Sequence, residues 1–114
     1  MTNCIFCKIS NKEIPSSLVY EDDSVLAFND MAPLAKVHIL FIHKKHTHNV
    51  AELLEKNFSQ IEDVFAGIKN YLAQNQYGSE GFRLVVNNGE SAGQSVFHTH
   101  IHFLAGERLG KFGR

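Results

Sequence analysis

Three histidines, His98, His100 and His102, alternate with Thr99, Ile101 and Phe103 directly after a polar run that contains Gly89, Gly93, Gln94 and Ser95. On a β-strand, a period of two puts the three imidazoles on one face and the Thr, Ile and Phe side chains on the other. Imidazole donors, the Ser95 hydroxyl and backbone N–H groups of the preceding turn can together hold a phosphate-sized anion. Convergence of all three rings on one metal ion is awkward, because the outer Cα atoms of such a trio lie about 13 Å apart. A division of labour is easier. His100 can present one ring nitrogen to phosphorus as a nucleophile while a carbonyl or other fixed acceptor holds the proton on its other nitrogen. His102 then donates to a non-bridging oxygen, Ser95 relays a proton to the leaving group, and His98 is left for a structural role. The bland alternative, a half-exposed sheet surface without chemistry, leaves the Gly, Gln and Ser upstream as coincidences.

The two cysteines, Cys4 and Cys7, are spaced C-x-x-C. That spacing suits a shared metal ion, a redox dithiol or two unliganded thiols, and the pair alone does not choose among them.

The elements that must carry these residues follow from periodicity. Leu18 to Tyr20 and Val25 to Phe28 read as a hairpin around the turn Glu21 to Ser24, and Val37 to Ile42 supplies a third strand. The period then changes to about 3.6. Asn49 followed by Glu52 marks a capping box for a short helix through Leu54, and Ser59 followed by Glu62 marks a second. Behind Ser59, Ile61, Val64, Phe65, Ile68, Tyr71 and Leu72 form an apolar stripe, and Gly78 is the expected stop of this long helix. Phe82 to Asn87 and His98 to Leu104 complete five strands. The class is α+β: an antiparallel sheet with the long helix on one face and a ligand surface on the other. Lys111 to Arg114 reads as a potentially mobile tail.

At 114 residues and 44% hydrophobic, residues 1–114 support one domain and are too short for two. With 11 Lys plus Arg against 12 Asp plus Glu, no broad positive field points to a stable nucleic acid partner or an anionic membrane. No apolar run reaches the roughly 18 residues of a membrane span, and Lys8, Lys12 and Glu13 interrupt any export signal, so the expected location is the cytoplasm.

His98-Thr99-His100-Ile101-His102-Phe103-Leu104, preceded by Gly93-Gln94-Ser95-Val96, resembles the signature of the histidine triad family of nucleotide hydrolases and transferases. Cys4-Ile5-Phe6-Cys7-Lys8-Ile9, Phe28-Asn29-Asp30, His38 and Val86-Asn87 fit the same layout, so the resemblance runs from Cys4 to about Glu107. It implies a two-fold homodimer and a purine mononucleotide ligand. In that layout Asp30 accepts from ribose hydroxyls, His38 lies close to the nucleotide, and Asn87, Gly93, Gln94 and Ser95 surround the phosphate. His100 is the nucleophile, His102 a hydrogen-bond donor, and Ser95 assists the departing amine. Ser95 is similar to the serine of the nucleoside phosphoramidase branch, whose reaction is hydrolysis of nucleoside 5'-phosphoramidates. Phe97, in place of a proline common in the polyphosphate branch, and a tail without tryptophan or paired prolines leave two other readings open. These are a dinucleoside polyphosphate or acyl-nucleotide hydrolase, and a nucleotide-binding interaction module with incidental hydrolysis. The family layout also implies a structural zinc on Cys4, Cys7, His46 and His98, with no catalytic metal or organic cofactor. His43 and His48 are read as exposed loop or helix-start residues.

Overall fold

In the computed structural model, which describes residues 3–111, the alternating segments pair into one antiparallel sheet. Its strands are β1 (Leu18–Glu21), β2 (Val25–Asn29), β3 (Val37–His43), β4 (Phe82–Val85) and β5 (His100–Ala105), in the order β1-β2-β3-β5-β4. The fold is α+β, as expected. Asp22 closes the first hairpin by accepting at Oδ1 from the Ser24 and Val25 N–H groups, both at 2.8 Å. Residues 112–114 of the expected mobile tail lie outside the described residues.

Because side chains alternate, the sheet has two apolar faces. Val25, Ala27, Ile39, Phe41, Phe103 and Ala105 meet Val64 and Ile68 of α3 (Ser59–Leu72). Gly67 permits that approach, since a β-carbon there would lie 3.0 Å from Val25 Cγ1. On the opposite face Leu26, Phe28, Leu40 and Ile42 pack under Phe6 and Ile9 of α1 (Ile5–Ser10), a helix absent from the sequence expectation.

Helix α2 (Val50–Lys56) is capped by Asn49, whose side chain accepts from Glu52 N–H at 2.9 Å. The second expected capping box does not form. Ser59 is already helical, because Gln60 and Ile61 N–H donate to Asn57 and Phe58 carbonyls and the chain turns before reaching it. Nor is Gly78 the stop. Asn75 ends the helix by donating to the Tyr71 carbonyl and accepting from Tyr77 N–H, each at 2.9 Å, and Gly78 falls within α4 (Tyr77–Glu80). Phe65, expected in the buried stripe, is 46% exposed on the flank of α3. There it borders a groove of about 420 Å³ with Leu53, Val64 and Leu84. The last strand begins at His100 and not at His98, because Thr99 N–H donates to the Thr47 carbonyl at 2.9 Å and leaves the ladder.

Candidate active site

The register of β3 with β5 sets Leu40 opposite His102 and Ile42 opposite His100. His38, His100 and His102 therefore share the sheet face that α1 partly covers. His98, in a bend ahead of β5, is not on the strand and turns its ring towards Cys4 and Cys7.

A cleft of about 650 Å³ opens on this face. Ile5, Phe6, Ile9, Phe28 and Leu40 contribute to its apolar wall, and its polar groups include Asp30, Ser95, His100 and His102, with Ser16, Ser17 and Asn29 also on the lining. An apolar slot with a few convergent polar groups is the usual form of a small-ligand site. The α1 contribution was missed in the sequence. The signal was present in Ile5, Phe6 and Ile9 at one-helix-face spacing, but six residues are too few for a periodicity argument.

Hydrogen bonds fix the ring tautomers. Leu34 N–H donates to His38 Nδ1 at 3.0 Å, so the proton of neutral His38 is on Nε2. That N–H reaches His102 Nδ1 at 2.9 Å, which places the His102 proton on Nε2. His100 has the opposite arrangement: its Nδ1–H donates to the His98 carbonyl at 2.8 Å, leaving Nε2 with a lone pair. The two rings are 5.0 Å apart, centroid to centroid. One offers a nucleophilic nitrogen and the other a donor.

Burial keeps these rings uncharged. It pushes His102 down to about 4, with His100 and His38 acting the same way and Asp30 opposing. Burial also lowers His100, against its bond to the His98 carbonyl, and lowers His38 against the nearby Asp30 carboxylate. Asp30 Oδ2 lies 3.4 Å from His38 Nε2. Although Asp30, His38 and His102 are close enough to suggest a metal group, the Leu34 N–H facing His38 Nδ1 forces a proton onto the nitrogen that a metal would need. We read the trio as a hydrogen-bonded relay.

The remaining expected site residues shape the loop before β5. Gln94, 3% exposed, accepts from Gly89 N–H at 2.8 Å and donates to the His48 and Val96 carbonyls at 3.0 and 3.1 Å. Gly93 turns the chain in the left-handed conformation, and Asn87 Nδ2 lies 3.8 Å from where its β-carbon would be. Asn87, Gly93 and Gln94 are not among the described residues that line the cleft; exposed Ser95 is.

Cys4, Cys7, His46 and His98 converge beside α1 and can hold a metal ion, their ligand atoms all within 4.8 Å of one another. His46 Nδ1 to His98 Nδ1 is 3.2 Å, and the sulfur to Nδ1 separations are 3.3, 3.4 and 3.5 Å. A tetrahedral zinc site, with bonds of about 2.05 Å to nitrogen and about 2.3 Å to sulfur, has edges of about 3.3 Å (N···N) and about 3.6 Å (N···S). The residues fit. His98 Nε2–H donates to the His43 carbonyl at 2.9 Å, directing an unprotonated Nδ1 at the cluster. Of the two histidines expected in exposed loop or helix-start positions, His43 ends β3 and meets Asp63 at 2.9 Å, so it is not a loop residue, whereas exposed His48 stacks on Phe97.

With this geometry in hand, comparison with known proteins gives concordant results. The sequence model of the HIT domain family matches residues 11–109. A histidine triad protein from Clostridium difficile superimposes with a TM-score of 0.93 at 42% identity, covering 99% of this chain and 98% of that one. A HIT family hydrolase from Legionella pneumophila gives a TM-score of 0.88 at 35% identity, over 95% and 96% of the two chains. A HIT-like protein of Synechococcus elongatus is 44% identical over 105 residues, 92% of this chain and 91% of its own.

Proposed function

The chain belongs to the HIT domain family, and from that premise we propose that it hydrolyses purine nucleoside 5'-phosphoramidates through a covalent nucleotidyl-histidine. The carrying observation is the pair of neutral rings with opposite tautomers, His100 with a bare Nε2 and His102 with Nε2–H, at one end of an apolar cleft. The purine lies against Phe6 and Phe28, and Asp30 accepts from the ribose. The loop shaped by Asn87, Gly93 and Gln94 carries Ser95 to the leaving group.

In the first step His100 Nε2 forms a bond to phosphorus as the P–N bond to the amine breaks. The amine takes a proton relayed by the Ser95 hydroxyl, and His102 Nε2–H donates to a non-bridging oxygen. Water then attacks phosphorus and the P–Nε2 bond breaks. The proton shed by water replaces the one passed to the amine, and His100 returns to its neutral form. Support for hydrolysis as the reaction class comes from neighbours described as HIT family hydrolases.

The reading includes a structural zinc on Cys4, Cys7, His46 and His98, which when bound ties α1 to the segments flanking β3 and β5. No catalytic metal or organic cofactor enters the reaction. It also includes a two-fold homodimer of single-domain chains, acting in the cytoplasm. Gln60 is buried, and neither end of its amide has a partner among the described residues. It lines the groove beside exposed Phe65, close to β4, an edge strand of the sheet. A second copy laid there covers the phenylalanine. Among the described residues no helix is long and apolar enough to cross a membrane.

The test is a panel of adenosine 5'-phosphoramidates, acyl-adenylates and dinucleoside polyphosphates, each compared by kcat/KM. The phosphoramidates should lead. Faster cleavage of the dinucleoside polyphosphates or acyl-adenylates assigns the same chemistry to the other branch, and nucleotide binding without turnover of any of them assigns an interaction module.

A further inference from the structure

Helix α1 is six residues long, and isolated helices below about 12–15 residues are marginal in water. Its docking depends on what lies at either side. On one side are Cys4, which caps it, and Cys7, with sulfur atoms 3.3 and 3.5 Å from His98 Nδ1. On the other, Phe6 and Ile9 pack with Phe28 and Leu40 and form the cleft wall. Phe6 sits at the junction. Its ring centroid is 6.0 Å from His98, 5.2 Å from His100 and 5.3 Å from Phe28, each edge-on. A second link runs through the backbone, because the carbonyl of His98 is the acceptor that fixes the His100 tautomer. The segment that completes the metal-capable cluster is thus also the segment that completes the cleft.

We propose that zinc at Cys4, Cys7, His46 and His98 and a purine nucleoside monophosphate in the cleft bind cooperatively, with α1 as the element that couples them. The inference rests on the nucleotide and zinc readings given above. With zinc bound, α1 is docked before the nucleotide arrives. Without it, part of the nucleotide's binding free energy goes into docking α1, and apparent affinity falls in proportion to the docked fraction. Linkage requires the nucleotide to raise zinc affinity by the same factor.

The test starts from the zinc-loaded full chain, so no stable metal-free form is needed. Zinc affinity is measured by competition with a chromophoric chelator, alone and with saturating adenosine 5'-monophosphate. The nucleotide should raise zinc affinity at least about fivefold, the lower end of ordinary coupling between sites. Ribose 5-phosphate, which has no base to rest on Phe6, should leave it unchanged. Phe6→Ala, loaded with zinc, should lose the effect, and Phe6→Leu serves as the milder variant if alanine does not fold. Zinc affinity indifferent to the nucleotide, in protein that binds both, overturns the coupling and leaves the two sites standing. A chain that takes up no zinc, or a loaded chain that does not bind the nucleotide, overturns the underlying assignment and the coupling with it. An equal shift with ribose 5-phosphate, or full coupling in the Phe6 variants, overturns the path through α1.

Discussion

At the residue scale the chemistry depends on which nitrogen carries each proton. His102 can donate because His38 holds its Nδ1 as an acceptor, and His100 can attack because the His98 carbonyl holds its Nδ1–H. In the proposed reaction Ser95 has a narrower task, and its removal should show selectivity. Ser95→Ala should slow release of a basic alkylamine roughly a hundredfold and of an activated arylamine less than about tenfold, since only the former needs a proton during cleavage. Equal losses across a graded leaving-group series would reduce Ser95 to a shape role. The depressed His102 has a consequence for stability as well. Folded His102 takes up a proton near pH 4, whereas an unfolded histidine does so near 6.5. Between those values the unfolded chain binds more protons, so this contribution is fully present above about pH 6.5 and is lost as pH falls towards 4. The decline of Tm from pH 6.5 to 4.5 should be shallower in His102→Gln than in the parent, and parallel curves would show that His102 is not held neutral by the fold. The alternation of His100 and His102 was legible in the sequence because it is a property of one strand. The His100 tautomer was expected too, with a carbonyl holding the proton on its other nitrogen; that of His102 was not, since it depends on His38, on a different strand 64 residues away.

At the element scale, helix starts and stops were readable where a single side chain decides them. Asn49 caps α2 as its type and the following Glu52 indicate. Ser59 and Gly78 misled because neighbours acted first: the turn from Asn57 made Ser59 helical, and Asn75 ended α3 before any glycine was needed. Helix α1 was illegible for a different reason. Six residues give too little periodicity, and what holds the helix is a set of contacts to residues far along the chain. Of these, His98 is 94 positions from Cys4. Breaking the cluster should therefore undo this element first. Cys4→Ser should lower zinc stoichiometry and reduce Tm by at least about 5 °C, because metal binding to such a site is coupled to folding. Native mass spectrometry with elemental analysis and a thermal scan measure both. A parent protein that neither contains nor takes up zinc, or a variant with unchanged Tm, would remove the cross-link from the fold.

At the scale of the whole molecule, the order of the five strands was left open by the sequence, and what followed from alternation was an antiparallel sheet with the long helix on one face and a ligand surface on the other. The groove beside α3 did not follow, because the apolar stripe gives no sign that Phe65 faces outward while Gln60 is buried. If a second copy covers that groove, Phe65→Glu should convert dimer to monomer in sedimentation velocity at micromolar concentration, while circular dichroism is unchanged; a monomeric parent would remove the dimer. The reaction proposed above passes through phosphorus bonded to His100. The most direct test is rapid quench of the intact protein with a phosphorus-labelled adenosine 5'-phosphoramidate, followed by mapping of the label. The expected result is a transient adduct on the peptide containing His100, formed no more slowly than turnover. In His100→Ala the adduct should be absent and turnover lower by at least about a thousandfold, with adenosine 5'-monophosphate still bound. Label on another residue, or near-parental turnover by His100→Ala, would contradict the nucleophilic role of His100.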